Sequence, residues 1–243
     1  MKHLENKVAL VTGGSRGMGA AIVKRLVAEG ATVAFTYVKS AAKAQELAAA
    51  LGDNVIAIQA DNASHTAVVA AVEQVAATFG RIDILVNNAG IYFQKPLSEH
   101  AAADYDQMMD VNVKAVFMAS LAAIPHMPSG GRIISIGSNM ADRVIGPGGT
   151  LYAMSKSALI GLTKGLAREL GPKSITVNLV QPGPVDTDMN PASGDHASFL
   201  TGHMALGHYG NVTDIAGLVA YLAGKESGFI TGTAITIDGG FNI

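Results

Sequence analysis

The stretch Val8-Ala9-Leu10-Val11-Thr12-Gly13-Gly14-Ser15-Arg16-Gly17-Met18-Gly19 decides the fold. Val8 to Val11 reads as a short buried strand, and the glycines after it read as a tight turn. Gly17 to Glu29 then reads as a helix. Ile22, Leu26 and Val27 fall on one side of it, Lys24, Arg25 and Glu29 elsewhere, and Gly30 stops it. A strand apolar on both faces needs cover above and below, which helices on both sides of a parallel sheet supply. Glycines in such a turn let backbone N–H groups approach phosphate oxygens. The helix start adds free N–H groups and the positive end of its dipole. In the first strand–turn–helix of a doubly wound sheet, this is the expected place for a dinucleotide. A P-loop is excluded: Gly14 and Gly19 have its glycine spacing, but Ala20 stands where its lysine is required.

The alternation continues along the chain. Thr32 to Val38, Val55 to Ile58, Ile82 to Val86, Arg132 to Ile136, Ile175 to Val180 and Ala234 to Ile237 read as strands. Helices are expected at Ala41 to Leu51, about Thr66 to Phe79, and Tyr152 to Leu170, with one or two between Ala101 and Met127. Right-handed crossovers then give a Rossmann-like α/β fold, a doubly wound parallel sheet with helices on both faces. No linker, repeat or low-complexity tract interrupts it, so residues 1–243 read as one domain. The least regular stretch, Asp186 to Gly210, is either a lid over a site or a surface loop.

Hydrophobic residues make up 49 % of the 243 and charged ones 15 %, which builds a large core and excludes a disordered chain. A net charge of −2 gives no general attraction to nucleic acid. The absence of cysteine excludes disulfides and thiol catalysis and fits a reducing, cytoplasmic setting. No signal peptide is visible at Met1 to Lys7, and no apolar run is long enough to predict a membrane span.

Tyr152 and Lys156 stand four residues apart, on one face of the predicted helix. A free phenol ionises near pH ~10, and a neighbouring ammonium favours the phenolate. A tyrosine tuned in this way can exchange a proton with a carbonyl or alcohol oxygen.

The spacing Gly13-x-x-x-Gly17-x-Gly19, rather than Gly-x-Gly-x-x-Gly, resembles the short-chain dehydrogenase/reductase family. Six further marks of that family follow in order: Asp61-Asn62 after the third strand, Asn87-Asn88-Ala89-Gly90 after the fourth, Asn112, Ser138 after the fifth, Tyr152 with Lys156, and Pro182-Gly183-Pro184-Val185-Asp186-Thr187 after the sixth. The resemblance covers essentially the whole chain. It implies hydride transfer between a nicotinamide cofactor and a carbonyl carbon, with 3-oxoacyl reductases among the similar enzymes.

Each residue then takes an expected role. Tyr152 is the proton donor or acceptor. Lys156 lowers the Tyr152 pKa and bonds the nicotinamide ribose. Ser138 orients the carbonyl oxygen. Asn112 holds a water that links Lys156 to solvent. The cofactor is expected on Gly13, Ser15, Arg16, Gly17, Met18 and Gly19, on Asp61 and Asn62 at the adenine, and on Asn87, Ala89 and Gly90. Pro182, Gly183, Val185 and Thr187 complete the nicotinamide side.

An Asp or Glu about 20 residues beyond the glycines marks NAD. The second strand here ends Tyr37-Val38-Lys39-Ser40, and Tyr37 occupies the acid's position. Lys39 and Arg16 offer cations and Ser40 a hydroxyl, which favours a 2′-phosphate and hence NADP(H) over NAD(H).

Asn190 to Leu206, with Tyr92, Phe93, Met140 and Val144, is expected to cover the substrate. The 3-oxoacyl thioesters, small ketones and sugars stay open as its class. The segment from Ser138 to Tyr152 is one residue longer than in many relatives, which predicts a bulge near Gly146 to Gly149. No metal is expected. Asp186-Thr187-Asp188-Met189-Asn190 begins like a calcium loop, but Pro191 and Ala197 replace its glycine and glutamate. His196, His203 and His208 lack a ligand spacing, and no hydrolase nucleophile elbow is expected. The resemblance implies a homotetramer. The alternative function is a nucleotide-binding sensor or scaffold on the same fold with little or no turnover.

Overall fold

The computed structural model describes residues 2–243. Seven parallel strands form one sheet in the order β3-β2-β1-β4-β5-β6-β7. They are β1 (Val8–Val11), β2 (Thr32–Tyr37), β3 (Val55–Gln59), β4 (Ile84–Asn87), β5 (Arg132–Ile136), β6 (Thr176–Pro182) and β7 (Ala234–Ile237). The helices are α1 (Gly17–Ala28), α2 (Ala41–Leu51), α3 (His65–Phe79), α4 (Ala102–Met109), α5 (Ala115–Ala123), α6 (Thr150–Leu170), α7 (Ala197–Thr201) and α8 (Val212–Ala223).

Side chains alternate across each strand, and the two faces build two cores. Ala9 and Val11 of β1 join Val33 and Phe35 of β2 beneath α1 and α8. Val8 and Leu10 join Ala34 and Leu85 on the other face, beneath α3, α5 and α6. Strand β1 pairs Leu10 with Ala34 on one side and with Leu85 on the other. The chain order reverses between β1 and β4, and in open sheets of this kind ligands bind at that crevice, beyond the carboxyl ends of the strands.

Helix α8 was not foreseen from the sequence. It begins with a capping box in which Asn211 accepts the Thr213 N–H at 3.0 Å and Asp214 accepts the Asn211 N–H at 2.7 Å. Ile215, Val219 and Leu222 are buried along it. The region expected to hold one or two helices forms α4 and α5 joined through a π-helical turn, Asp110–Lys114, and ends in a 3₁₀ turn, Ile124–His126. By length and composition this run, Ala102–His126, would suffice to cross a membrane. In the fold Ala115, Ala119 and Ala123 line the second core.

Candidate active site

The glycine turn leaves β1 at the crevice and is stapled to both neighbouring strands. The Thr12 hydroxyl accepts the backbone N–H of Asn88 and of Ala89, each at 3.0 Å. The Asn88 amide donates to the Thr12 and Gly13 carbonyls at 2.9 and 3.1 Å. The Gly13 N–H donates to the Thr36 hydroxyl at 2.9 Å. Gly13 has φ +66°, and a Cβ on Gly19 would stand 2.2 Å from the Gly13 carbonyl oxygen, so neither position accepts a side chain. Helix α1 starts after Arg16 with no side-chain cap and no acid in its first turn. Its first N–H groups are therefore left for an anion. Against the expectation that Gly-x-Ser-x-Gly is absent, Gly13 to Gly17 spells it, but among the described residues no histidine is hydrogen-bonded to Ser15, and the segment serves as the glycine turn.

Ser138 follows β5 and caps a one-turn 3₁₀ helix, Asn139–Ala141, by accepting the Met140 N–H at 3.1 Å. Tyr152 and Lys156 lie on α6, as their spacing requires. Burial pushes the Tyr152 phenol up to about 12. The neighbouring Ser138 hydroxyl pulls the other way, and nearby Tyr92 raises it further. Tyr92 stands edge-on to Tyr152, ring centres 4.9 Å apart. Burial also lowers Lys156, to about 8. These directions differ from the expectation that Lys156 pulls Tyr152 down. The Lys156 ammonium donates to the Ile136 carbonyl at 2.9 Å and sits 5.6 Å from the centre of the Tyr152 ring, so burial decides both groups.

Asn112 lies in the π-helical turn, a distortion often found at functional sites. Its Oδ1 accepts the Ile91 N–H at 2.9 Å, and its amide donates to the Ile91 carbonyl and to the Ser155 hydroxyl, both at 3.0 Å. Ser155 in turn donates to the Tyr152 carbonyl at 2.7 Å. This side chain clips the segment after β4 to α6. Gly90 keeps that junction open. A Cβ there would meet Asn112 Oδ1 at 3.2 Å and Lys156 Nζ at 3.4 Å.

The remaining sequence-predicted residues divide. Gly17 and Thr187 face each other across the cleft, with a Gly17 Cβ position 3.7 Å from the Thr187 methyl. Lys39 is exposed beyond β2, and Ser40 precedes α2. Arg16 is also exposed and pairs with Asp188 at 3.5 Å. Asp61 is exposed and accepts the Ala63 N–H at 2.9 Å, while Asn62 is buried. Asn87 ends β4 at the crevice. Its side chain is buried and turned toward Ser120 and Ser135 at 3.3 and 3.4 Å, because a central strand flanked by helices hides that face. The side chains of Tyr37 and Val185 belong to the core beneath α1 and α8. Pro182 is buried at the end of β6, and Gly183 packs so closely on Asp238 that a Cβ would lie 2.5 Å from that side chain's Cβ.

The segment 186–210 is pinned at its feet: Asp186 N–H donates to the Gly210 carbonyl, and Gly210 N–H to the Pro184 carbonyl, each at 3.0 Å. It carries α7, whose Phe199 is exposed. The loop near Gly146 to Gly149 is tied to the opposite wall. Gln94 donates to the Pro147 carbonyl at 2.7 Å, and Lys95 N–H to the Gly148 carbonyl at 3.1 Å. A groove of about 720 Å³ opens beside Gly17 and Thr187, between α1, residues 186–191 and α8, and includes none of Ser138, Tyr152 and Lys156. Among the described residues no group of His, Cys, Asp or Glu could hold a metal ion.

Thr12, Thr36 and Asn88 act on the turn and were missed as functional residues. Thr12 and Thr36 each lie one residue beyond the paired Val11 and Phe35, a register visible once the two strands are aligned.

Residues 13–242 match the family model described as enoyl-(acyl carrier protein) reductase. The chain is 47 % identical over 241 residues to the cyclic-di-GMP-binding biofilm dispersal mediator protein of Escherichia coli K12, covering 99 % of each. It is 41 % identical over 241 residues to the 3-oxoacyl-[acyl-carrier-protein] reductase of Staphylococcus aureus Mu50, covering 96 % of this chain and 97 % of the other. A solved short-chain dehydrogenase/reductase from Serratia marcescens superposes with a TM-score of 0.97 at 57 % identity, covering 99 % of this chain and 100 % of the other. A short chain dehydrogenase from Burkholderia cenocepacia J2315 in complex with NADP superposes with a TM-score of 0.98 at 55 % identity, with the same coverage.

Proposed function

The chain belongs to the short-chain dehydrogenase/reductase family, and from that premise we propose that it interconverts a carbonyl and an alcohol, with Tyr152 exchanging the proton. It is an NADP(H)-dependent oxidoreductase, in keeping with the NADP held by its Burkholderia relative. One observation carries the assignment of roles: Ser138 and Lys156 both stand beside Tyr152, and Lys156 borders Gly90, next to the Ala89 against which Gly13 of the glycine turn packs. The turn fits a dinucleotide because Gly13 and Gly19 clear the backbone and the first N–H groups of α1 lack a side-chain cap.

In this reading residues 13–19 hold the diphosphate, Arg16, Lys39 and Ser40 the 2′-phosphate, and Asp61 and Asn62 the adenine. Ala89, Gly90, Pro182, Gly183 and Thr187 flank the nicotinamide end. The bound cofactor supplies or accepts the hydride at the carbonyl carbon. Ser138 donates a hydrogen bond to the carbonyl oxygen and fixes its position. Tyr152 gives its phenolic proton to the oxygen as negative charge develops there, or takes it back from the alcohol. Lys156 holds positive charge beside Tyr152 and offers N–H donors to the ribose. Asn112 positions α6 through Ser155.

Residues 186–210 cover the substrate, with Tyr92, Phe93, Met140 and Val144 completing a largely apolar wall. A 3-oxoacyl thioester fits such a wall better than a sugar does. Homotetramer assembly in the cytoplasm is part of the same reading. The half-exposed Phe117 and Leu121 on α5 and the fully exposed Phe229 offer apolar surface for assembly. NADPH absorbance over a panel of ketones, aldehydes and 3-oxoacyl thioesters, and NADP reduction over alcohols, tests the activity.

A nucleotide-binding sensor with little turnover is the second reading, favoured by the name of the Escherichia coli relative. Tight nucleotide binding with no turnover across the panel would select it.

A further inference from the structure

We propose that the C-terminal tail, through Asn242, is a positioning element for Ser138 and for the wall over the substrate. The inference rests on the reading that Ser138 and Tyr152 act together. The tail is folded by Asp238, which accepts the Gly240 N–H at 3.0 Å and the Asn242 N–H at 3.1 Å, and is anchored by the buried Phe241.

From there Asn242 reaches the residue after Ser138. The Asn242 amide donates to the Asn139 carbonyl at 2.9 Å, and the buried Asn139 amide donates back to Asn242 Oδ1 at 3.3 Å. Arg143 adds hydrogen bonds from one guanidinium nitrogen to the Phe241 and Ile243 carbonyls at 2.7 and 3.2 Å. The 3₁₀ turn capped by Ser138 is thus tied at both ends to a segment about a hundred residues away.

The other side of the tail holds the segment over the substrate. The Leu206 N–H donates to the Gly239 carbonyl at 3.0 Å, and the His203 and Phe241 rings lie 5.9 Å apart. A Cβ on Gly239 would stand 2.9 Å from the end of Met204. The tail therefore sets the distance between Ser138 and residues 203–206. A loose tail lets the 3₁₀ turn shift and moves the Ser138 hydroxyl relative to the Tyr152 phenol.

The test uses the full chain carrying Asn242→Asp, which keeps the side-chain volume but loses the donor to Asn139, and Asn242→Ala beside it. Tyrosine labelled with ¹³C at Cζ gives an NMR resonance sensitive to phenol hydrogen bonding, and the Tyr152 signal is identified by its loss in Tyr152→Phe. The expected result is a displaced Tyr152 resonance in both variants at neutral pH, with the NADPH dissociation constant within about twofold of the parent. The turnover number falls by about tenfold, as for one weakened hydrogen bond. An unmoved Tyr152 resonance overturns the proposal, as does a loss of NADPH affinity equal to the loss of turnover. If the parent chain turns over no carbonyl, the proposed activity fails, yet the resonance still decides the tail's role.

Discussion

The Lys156 ammonium points at the Ile136 carbonyl, 2.9 Å away, and not at the oxygen of Tyr152, whose ring centre lies 5.6 Å off. Both groups are driven toward their neutral forms by burial, Tyr152 up to about 12 and Lys156 down to about 8. A reductase needs the protonated phenol, so this arrangement suits reduction without adjustment, whereas oxidation needs the phenolate. Alcohol oxidation should therefore climb with pH through the alkaline range, while carbonyl reduction, as far as the phenol governs it, stays level from about pH 6 to well above 8. Initial rates in both directions across that range check it. An oxidation rate independent of pH would contradict it.

Lys156 also carries a stability cost. Its ammonium is fully accessible in the unfolded chain, where it titrates near ~10.4, but in the fold it titrates at about 8. The unfolded state thus binds the extra proton between these values. The penalty is complete below the folded value and vanishes above the unfolded one. Lys156→Met should abolish turnover yet raise stability at neutral pH by roughly 1–2 kcal/mol, after discounting the bond lost to Ile136. Urea unfolding at neutral pH and near pH 10.5 measures this, and the gain should shrink at the higher pH.

Asp83 works in the opposite sense. Burial alone would raise its carboxyl, but hydrogen bonds from Arg81, the Val8 N–H and Lys7 outweigh that and hold it below the usual carboxylate value. Its contribution is present above the unfolded value near ~3.9 and is lost as pH falls through the folded one. Lys7 and Arg81 are partly exposed, so solvent screens the pair. Asp83→Asn should cost about 2 kcal/mol at neutral pH and much less near pH 3. Thermal melts at the two pH values distinguish this from a packing loss, which would cost the same at both.

Cofactor choice is read from cations standing where an acid would select NAD. Arg16 and Lys39 are exposed and free to turn, and Arg16 engages Asp188 only at 3.5 Å. Arg16→Ala and Lys39→Ala should each lower kcat/KM with NADPH by about tenfold and leave NADH within about twofold. Equal losses with both cofactors would remove the 2′-phosphate from these residues.

Much of the fold was legible because strands apolar on both faces have one economical arrangement, and because the glycine turn marks where the sheet begins. The bounds of α2, β5 and β7 fall where the pattern put them. Helix α8 was not foreseen although Asn211 and Asp214 spell its start and Ile215, Val219 and Leu222 repeat at helical spacing. Tyr152 and Lys156 stand out by their spacing, whereas Ser138 was read only through the family resemblance. The inward turn of the Asn87, Tyr37 and Val185 side chains was not legible, because a site motif at a strand end says nothing of which side chain faces the core. Asn139 and Asn242 lie 103 residues apart and share no local pattern, so only the folded chain brings them together.

The most direct measurement pairs NADPH consumption with NADPH binding in the parent chain and in Tyr152→Phe. The parent should oxidise NADPH with at least one ketone or 3-oxoacyl thioester. The phenylalanine variant should lose turnover by about a hundredfold or more while its NADPH dissociation constant stays within about twofold. Turnover retained in Tyr152→Phe would contradict the assignment of Tyr152 as the proton donor.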